Sequence, residues 1–349
     1  MNIEFNRMLS LNINGKAIKE MSLGNEPIFP PIDFKTLKLD LGSSFHILGI
    51  ADGVVAGYTI SGDTYTLKTY NLNTGSLLTS FDITFGSNTT WRKVKAFWAE
   101  HPVYGKEFVF GYSYAADMMG TISWYWYFKH SDGSSVWNGF SNGMDLGCAY
   151  DSSSGSYKCF AVNYSGKNLT VGGVDLSTGS SGTFSYSYTV NNQYVTQIQA
   201  IQVSGQMVIL KCDNTNLSSN PNLYGVLWNC SNYITTNIWS NVAFVDSWTD
   251  YGTNDGCFLM LGSGIYYLFK NIDLISPFSI NTAYTVIKNG VDNNKVYLYK
   301  SSENAIYKLE NGTYTKLGDA VSGSGTSMLD NTRKYRADLS TGKIYYFPA

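Results

Sequence analysis

A six-residue segment that ends one alternating stretch and begins another occurs three times in this chain. Its copies are Tyr70-Asn71-Leu72-Asn73-Thr74-Gly75, Val174-Asp175-Leu176-Ser177-Thr178-Gly179 and Ala337-Asp338-Leu339-Ser340-Thr341-Gly342. Asn and Asp side chains bond the backbone two residues on, and Gly adopts the positive φ that reverses the chain, so each copy predicts a tight turn between strands. The copies are separated by about two and about three times the ~50 residues of a four-stranded propeller blade, which indicates a repeat protein.

The composition favours strands and turns over helices. Of the 349 residues only 14% are charged, 15% are aromatic and 34 are Gly. Aromatic residues are enriched in strands, whereas Gly, Ser and Asn are enriched in turns. The apolar content is too high for a disordered chain. The length suffices for a large core or for a closed array of repeats.

Alternating stretches group into units of four strands. A lone strand at 34–41 precedes six such units between 45 and 317, and three further strands fall within 325–347. The lone N-terminal strand would complete the last unit and remove exposed sheet edges. The sequence therefore predicts an all-β protein with a β-propeller of seven blades. Six blades are the alternative count, and a β-sandwich or β-helix is a third choice.

The third copy of the turn conflicts with this register. It falls between the second and third strands of its unit, whereas the earlier copies fall between the third and fourth. Either the register is wrong or the third copy is coincidental. In the same register the last strand of the fifth unit is predicted at 278–284 and the first strand of the sixth unit at 285–288.

Charge and motif content exclude several classes of function. The net charge of −2 gives no basic surface for nucleic acid, and no apolar stretch is as long as a membrane span. Only three His occur, and no nucleotide-binding or hydrolase fingerprint is present, so we expect no metal, no cofactor and no enzymatic activity. The N-terminus lacks the basic and apolar regions of a secretory signal, so we expect synthesis in a cytoplasm.

The five Cys residues are odd in number and scattered, and none forms a Cys-x-x-Cys pair. We expect buried free thiols in strands. Cys148 and Cys159 are placed to face one another on neighbouring strands of one unit.

One segment resembles a motif of sialidase-type propellers. His130-Ser131-Asp132-Gly133-Ser134-Ser135-Val136-Trp137 is similar to a degenerate Asp box, Ser-x-Asp-x-Gly-x-Thr-Trp. Asp132 and Trp137 match, whereas His130 and Ser134 replace the Ser and the Gly of the motif. In that family the motif forms a structural turn, so the resemblance implies a propeller turn and not sialidase activity.

The best candidate for ligand binding is a long polar loop at 246–255. It carries Trp248, Asp250 and Tyr251 among other polar residues. Trp and Tyr can stack on a sugar ring while neighbouring polar groups bond its hydroxyls. We therefore predict Trp248, Asp250 and Tyr251 as ligand-binding residues, with a solvated turn as the alternative.

The first residues form a separate unit. Two alternating stretches flank Asn14-Gly15, a strong two-residue hairpin signal, and Pro residues near 30 form a stiff connector. A hairpin of this size is not stable alone, so it needs a partner. We predict a docking segment at 1–31, followed by a propeller at 32–349. The predicted docking residues are Ile13, Asn14, Gly15, Ile18 and Met21.

The same N-terminal segment, 11–24, resembles segments of tail and baseplate proteins of phages of Gram-positive bacteria, and the rest is similar in composition to virion adhesins. The resemblance implies a non-enzymatic virion protein of a tail, tail fibre or baseplate, present in several copies and docked to other virion proteins through its hairpin. Its partner outside the particle would be a host-surface glycan, bound with avidity. The alternatives are a carbohydrate-active propeller enzyme and a protein-binding propeller scaffold.

Overall fold

The structure is a computed structural model of the chain. It describes 34–118 without interruption, individual strands between 11 and 29 and between 181 and 278, and the segments 120–140, 145–151, 155–165, 168–178, 280–292, 295–322 and 325–347. Every regular element within these residues is a β-strand, which confirms the predicted all-β class. None of them belongs to a helix long and apolar enough to cross a membrane.

Four short strands form two separate two-stranded sheets near the N-terminus. These are β1 (Leu11–Ile13) with β2 (Lys16–Ile18), and β3 (Met21–Leu23) with β4 (Glu26–Phe29). Leu11 lies opposite Ile18 in the first pair, which confirms the predicted hairpin. Its turn residues, Asn14 and Gly15, lie outside the described residues. A lone strand, β5 (Leu37–Asp40), follows.

Five antiparallel sheets come next, and in each of them the strands pair in sequence order. Sheet 1 contains β6 (His46–Ala51), β7 (Val54–Ser61), β8 (Thr64–Asn71) and β9 (Leu77–Thr84). Sheet 2 contains β10 (Thr89–His101), β11 (Gly105–Met118), β12 (Thr121–Lys129) and β13 (Ser135–Phe140). Sheet 3 contains β14 (Asp145–Asp151), β15 (Ser156–Ser165), β16 (Asn168–Asp175) and β17 (Ser181–Gly182), with β18 (Tyr188–Thr189) also beside β16.

The next two sheets continue the same meander. Sheet 4 contains β19 (Tyr194–Val203), β20 (Gln206–Asn214), β21 (Asn222–Trp228) and β22 (Tyr233–Ser240). Sheet 5 contains β23 (Val242–Ala243), β24 (Cys257–Gly262), β25 (Ile265–Lys270) and β26 (Asp273–Phe278). Seven further strands form the C-terminal part: β27 (Tyr284–Asp292), β28 (Lys295–Lys300), β29 (Ala305–Glu310), β30 (Thr313–Asp319), β31 (Ser327–Leu329), β32 (Tyr335–Asp338) and β33 (Lys343–Tyr346).

These last strands and β5 make one eight-stranded sheet composed of two meanders. We call β27–β30 sheet 6, and β31–β33 with β5 the closing sheet. A parallel bridge between Lys288 and Met328 joins β27 to β31, and a second one lies between Phe34 and Ala320, just outside the strands. Strand β5 pairs antiparallel with β33, with Leu39 opposite Ile344. An N-terminal strand therefore completes the sheet of the last three strands, as the sequence predicts.

The first strands of five sheets contact one another in turn: β31 contacts β6, β6 contacts β10, β10 contacts β14, and β14 contacts β19. Between sheets 1 and 2 lies an apolar cluster that includes Phe85, Trp98, Phe108 and Phe110. Four-stranded meanders that follow one another, touch through their first strands and end in a sheet completed by the N-terminal strand have the architecture of a β-propeller. The predicted propeller is confirmed in this general form.

All three copies of the repeated segment begin with the same side-chain hydrogen bond, and Gly179 of the second copy lies outside the described residues. The Asn or Asp of each copy accepts a hydrogen bond from the N–H two residues on: Asn71 from Asn73 at 2.8 Å, Asp175 from Ser177 at 2.8 Å and Asp338 from Ser340 at 3.0 Å. The first two copies join the third and fourth strands of a sheet, whereas the last joins β32 to β33, the second and third strands of the closing sheet. The predicted register is therefore correct there, and the turn recurs at a different place in its sheet.

The predicted strand at 278–284 is wrong. Strand β26 ends at Phe278, and β27 begins at Tyr284. Asn281 forms a turn between them, because its Oδ1 accepts a hydrogen bond from the N–H of Ala283 and its carbonyl oxygen accepts one from Tyr284, both at 2.9 Å. Strand β26 includes Pro277, which is tolerated because β26 is the outermost strand of sheet 5 and one of its edges needs no ladder bonds.

The expectation about the first two cysteines is confirmed. Cys148 on β14 lies directly opposite Cys159 on β15, and their Sγ atoms are 3.7 Å apart. Both thiols are free and buried.

Candidate ligand-binding pocket

A cavity of about 260 Å³ opens where the first hairpin turns of four sheets come together. Its walls come from the β6–β7, β10–β11, β14–β15 and β31–β32 hairpins, and Trp98 and Ala99 of β10 also line it. The polar side chains around it are Asp52, Glu100, Lys106, Tyr157, Asn331 and Thr332. We call this cavity the polar pocket.

In the polar pocket, Asp52 of sheet 1 contacts Asn331 of the closing sheet. Oδ1 of Asn331 accepts a hydrogen bond from the backbone N–H of Asp52 at 2.8 Å, and Nδ2 of Asn331 donates to Oδ1 of Asp52 at 2.9 Å. Nζ of Lys106 lies 3.3 Å from the other carboxylate oxygen. Asp52 and Gly53 have φ values of 45° and 76°, as the two central residues of a tight hairpin turn require.

The turn that carries Asn331 is fixed by the buried carboxylate of Asp330. Its Oδ1 accepts hydrogen bonds from the backbone N–H groups of Lys334 and Tyr335, both at 2.7 Å, and its Oδ2 accepts one from Thr332 at 3.1 Å. Arg333 donates to the carbonyl oxygens of Asn289 and Val291 in sheet 6. Asn331 is therefore held in position before any ligand arrives.

Tyr157 contributes a hydroxyl group that keeps its proton at neutral pH. Burial raises the pKa of Tyr157 to about 12, and the nearby acidic side chains of Glu100 and Asp52 act in the same direction. The Tyr157 ring also packs edge-on against Tyr150, with ring centroids 5.3 Å apart. The hydroxyl can therefore donate a hydrogen bond as well as accept one.

The remaining wall is the end of the β10–β11 hairpin. Glu100 and Lys106 lie directly opposite one another across the two strands. Trp98, two residues before Glu100, is only 4% exposed and packs edge-on against Phe108 with ring centroids 4.9 Å apart. The wall of the polar pocket thus contains the carboxylates of Asp52 and Glu100, the ammonium group of Lys106 and the indole of Trp98. The indole is held in place by the core between sheets 1 and 2.

The segment that resembles an Asp box forms the turn between β12 and β13, the third and fourth strands of sheet 2. Oδ1 of Asp132 accepts hydrogen bonds from the backbone N–H of Ser134 at 2.8 Å and from its hydroxyl at 2.6 Å. These bonds lower the pKa of Asp132. The expectation of a propeller turn at this segment agrees with the position of the turn in the sheet.

None of the residues predicted from the sequence is among those seen to line the polar pocket in the described part of the chain. Trp248, Asp250 and Tyr251 are outside the described residues, so their role in ligand binding stays a prediction. Ile13, Ile18 and Met21 lie in β1, β2 and β3.

Sequence reasoning did not find the polar pocket. The residues of the pocket that stand out in the sequence are the Asp52-Gly53 and Asp330-Asn331 pairs, and these are ordinary turn dipeptides that predict turns rather than a binding site. The contact between Asp52 and Asn331 joins residues 279 positions apart, and nothing in the sequence pairs them.

No three His, Cys, Asp or Glu side chains come together as a metal site within the part of the chain that the structure describes.

No protein-family model matches the chain, and no curated protein matches it. Solved structures do resemble it. The polysaccharide lyase Uly1 is 12% identical, with 99% of this chain and 95% of that chain covered and a TM-score of 0.51. An uncharacterized protein from Listeria monocytogenes EGD-e is 12% identical over 88% of this chain and 96% of that one, with a TM-score of 0.50. The Dos1 propeller is 10% identical over 87% and 78%, with a TM-score of 0.46.

At these identities the likeness concerns the fold alone. The order and contacts of the sheets described above give that fold the architecture of a propeller. The chain is therefore an all-β protein of the propeller type, with a polar pocket at the hairpin turns of four sheets.

Proposed function

We propose that this protein is a non-enzymatic binding protein that holds one sugar unit of a surface glycan in the polar pocket. The observation that carries the proposal is the arrangement of Asp52, Asn331, Lys106 and Tyr157 around one cavity. Sugars present several hydroxyl groups, each a donor and an acceptor, so their recognition needs closely spaced groups of both kinds. The cavity of about 260 Å³ is below the ~300–1,000 Å³ usual for drug-sized ligands, so it suits a single ring.

The state of the polar side chains favours binding over catalysis. Both carboxylate oxygens of Asp52 already have partners, Asn331 and Lys106, so a reacting group would have to compete with them for this carboxylate. The Tyr157 hydroxyl, with its pKa raised to about 12, is a poor base at neutral pH. A ligand hydroxyl can still bond to these groups through their remaining lone pairs and protons.

A carbohydrate-active enzyme is the second candidate. The observation in its favour is that two carboxylates, Asp52 and Glu100, line one cavity with a tyrosine hydroxyl, as sugar-cleaving enzymes require paired acid and base groups. Uly1, a polysaccharide lyase, has a similar fold. An assay for new reducing ends or unsaturated products, run on any glycan that binds, decides between the two candidates.

The test of the binding function is a glycan array followed by calorimetry on the strongest sugar. We expect Asn331→Ala and Lys106→Ala each to weaken binding about ten-fold, because each removes a hydrogen bond in a partly desolvated site. Lys316→Ala is the matched control, since Lys316 is also an exposed lysine paired with an aspartate, Asp319, but lies in β30 of sheet 6. Equal affinity in all three variants would exclude the polar pocket as the binding site.

We further propose that sheets 1 to 6 and the closing sheet are the blades of a seven-bladed ring. The support is the count of four-stranded meanders and the pairing of β5 with β33, which removes the free edge of the last sheet. Electron-microscopy class averages viewed down the ring axis would count the blades, and an average with six would contradict the proposal.

We also propose that the protein is a virion component, in a phage tail, tail fibre or baseplate, and is present in several copies. The support is the resemblance of the N-terminal segment and the separate two-stranded sheet that β1 and β2 form. In this proposal Ile13, Asn14, Gly15, Ile18 and Met21 contact a neighbouring virion protein. The docking segment at 1–31 is then a unit distinct from the propeller.

Mass spectrometry of purified particles tests the virion role, with this chain expected at a defined stoichiometry. A variant that lacks residues 1–30 is expected to fold and to be missing from particles. Incorporation of the shortened protein at the normal level would contradict docking through the hairpin, and absence of the full-length chain from particles would contradict the virion role itself.

A further inference from the structure

The tip of the β10–β11 hairpin carries exposed apolar and aromatic surface. Val103 is 81% exposed and Tyr104 is 43% exposed. Nδ1 of His101 accepts hydrogen bonds from the backbone N–H groups of Val103 and Tyr104, at 3.0 and 3.2 Å. The tip is therefore a defined structure, although it projects into solvent.

The ring of Tyr104 is held by the neighbouring β12–β13 turn. It stacks on the imidazole of His130, with ring centroids 4.0 Å apart and an interplanar angle of 20°. Its hydroxyl lies 3.2 Å from Oγ of Ser134. His130 thus covers one face of the phenol ring, His101 packs edge-on against it with ring centroids 5.0 Å apart, and the exposed part of Tyr104 is available to another molecule.

His130 rests in turn on a buried carboxylate. Nδ1 of His130 lies 2.6 Å from Oε1 of Glu107, and both side chains are almost fully buried. Oε2 of Glu107 accepts hydrogen bonds from the backbone N–H and the hydroxyl of Ser131, both at 2.9 Å. Because Tyr104 stacks on a histidine that this network holds in place, the Tyr104 ring loses little conformational entropy when a ligand packs against it.

This aromatic surface is adjacent to the polar pocket. Glu100 and Lys106 line the pocket, and His101 and Gly105 form the next pair of the same hairpin, followed by the tip. Ser134 and Asp132, both exposed, lie at the outer side of Tyr104 in the β12–β13 turn. A polar cavity, an aromatic ring and two more polar side chains therefore follow one another outward along sheet 2.

We propose that Tyr104 forms a second sugar subsite next to the polar pocket, so that the ligand is an oligosaccharide whose chain crosses the β10–β11 hairpin. This inference rests on the proposed glycan-binding function. The C–H face of the second sugar packs on the Tyr104 ring, since an aromatic side chain offers a large apolar surface at low entropic cost. Its hydroxyls donate to the oxygens of Ser134 and Asp132, which supply acceptors at the edge of the ring.

The test compares a single sugar with a chain of the same sugar. Glucose, galactose and N-acetylglucosamine are titrated by calorimetry into the full-length protein, each as the monosaccharide and as its linear tetrasaccharide. Wild-type protein is expected to bind one of the tetrasaccharides at least ten-fold more tightly than the corresponding monosaccharide. Tyr104→Ala is expected to abolish that difference and leave the monosaccharide affinity unchanged.

Two further variants control for loss of structure. Tyr104→Phe keeps the ring and removes the hydroxyl, so it is expected to retain most of the tetrasaccharide affinity. Tyr314→Ala removes another stacked tyrosine, which lies on Tyr284 in sheet 6, and is expected to bind like wild type. Thermal melting of each variant confirms that the fold is intact.

The two proposals fail in different ways. If Lys106→Ala weakens both ligands but Tyr104→Ala binds the tetrasaccharide like wild type, the pocket binds sugar and the second subsite is wrong. If Tyr104→Ala weakens the tetrasaccharide and Lys106→Ala has no effect, the aromatic surface binds sugar and the polar pocket does not. If wild type binds none of the probes at millimolar concentration, both proposals are wrong for these sugars.

Discussion

Asp145, at the start of β14, is fully buried and keeps its charge through two lysines of β10. Its Oδ1 lies 2.7 Å from Nζ of Lys93 and 2.6 Å from Nζ of Lys95. Burial by itself raises the pKa of Asp145, but the attraction of Lys95 and Lys93 outweighs it, so the pKa lies below its usual value. A single carboxylate thereby ties sheet 2 to sheet 3.

Asp145→Asn is expected to lower the free energy of unfolding at pH 7 by about 1–3 kcal/mol, because it leaves two part-buried ammonium groups without their counter-charge. A carboxylate with a lowered pKa in the folded state stabilises the protein above its unfolded pKa near 4, and this stabilisation is lost as the pH falls through the folded pKa. The difference between variant and wild type in urea unfolding should therefore shrink below about pH 4. A difference that grows on acidification contradicts this assignment.

The cysteine pair leads to a second prediction at the scale of single residues. Burial raises the pKa of the Cys159 thiol well above its usual value, and the neighbouring Cys148 thiol, to which it donates a hydrogen bond, adds to the shift. Because the thiolate is the reactive form, iodoacetamide should label Cys148 and Cys159 at least ten-fold more slowly in the native protein than in denaturant. Peptide mass spectrometry measures both rates, and equal rates would contradict the burial of this pair.

At the scale of elements, the first and third repeated turns differ in what surrounds them. Gly75 and Gly342 both have positive φ, 73° and 70°. A Cβ on Gly75 would meet only a methyl group of Leu39 at 3.5 Å, whereas a Cβ on Gly342 would lie 2.0 Å from the carbonyl oxygen of Gly42. The backbone N–H of Leu41 donates to the carbonyl of Gly342 at 3.0 Å, so the crowded turn is also where the segment after β5 is attached.

Gly75→Ala should therefore cost about 1–2 kcal/mol, the usual cost of a left-handed conformation for a residue with a Cβ. Gly342→Ala should cost more, since it adds a backbone clash and displaces the end of β5 from the closing sheet. Chemical unfolding of the two variants measures the difference directly. Equal losses of stability would mean that the closing sheet adjusts freely at this turn.

The element scale also explains which predictions succeeded. The hairpin turns at the repeated segments and at Asp132-Gly133 were predictable because their hydrogen bonds lie within a few residues. The prediction of a strand at 278–284 was wrong. The turn at Asn281 also depends on local hydrogen bonds, but the apolar residues on either side of Asn281 gave the segment the pattern of a strand. The third repeated turn was predicted correctly as a turn, but its position within a sheet was not a property of its own residues.

At the scale of the whole molecule, the N-terminal strand is attached at several points. Strand β5 pairs with β33, and Phe34 packs edge-on against Phe347 with ring centroids 5.1 Å apart. The buried guanidinium of Arg336 donates to the carbonyl oxygen of Phe34 at 3.4 Å and lies over the ring of Tyr345. Residues from the two ends of the propeller thus share one core.

Removal of residues 1–41 is therefore expected to lower the melting temperature by roughly 5–10 °C, because it deletes a buried Phe and leaves β33 as a free edge. Removal of residues 1–31 is the matched control and should leave the melting temperature within about 2 °C of wild type. Differential scanning calorimetry on both deletions makes the comparison. Equal stability of the two shortened proteins would contradict the closing role of β5.

The sequence by itself determined the all-β class, the tight turns and the presence of an N-terminal strand left without a local partner, because alternation and turn chemistry act over a few residues. The tertiary structure alone decided that Asp52 meets Asn331, that His130 supports Tyr104 and that two lysines of β10 surround Asp145. Each of these contacts joins different hairpins or sheets, so it depends on how the meanders pack around their first strands. Local patterns specify hairpins, whereas a site built from several hairpins exists only once the sheets are assembled.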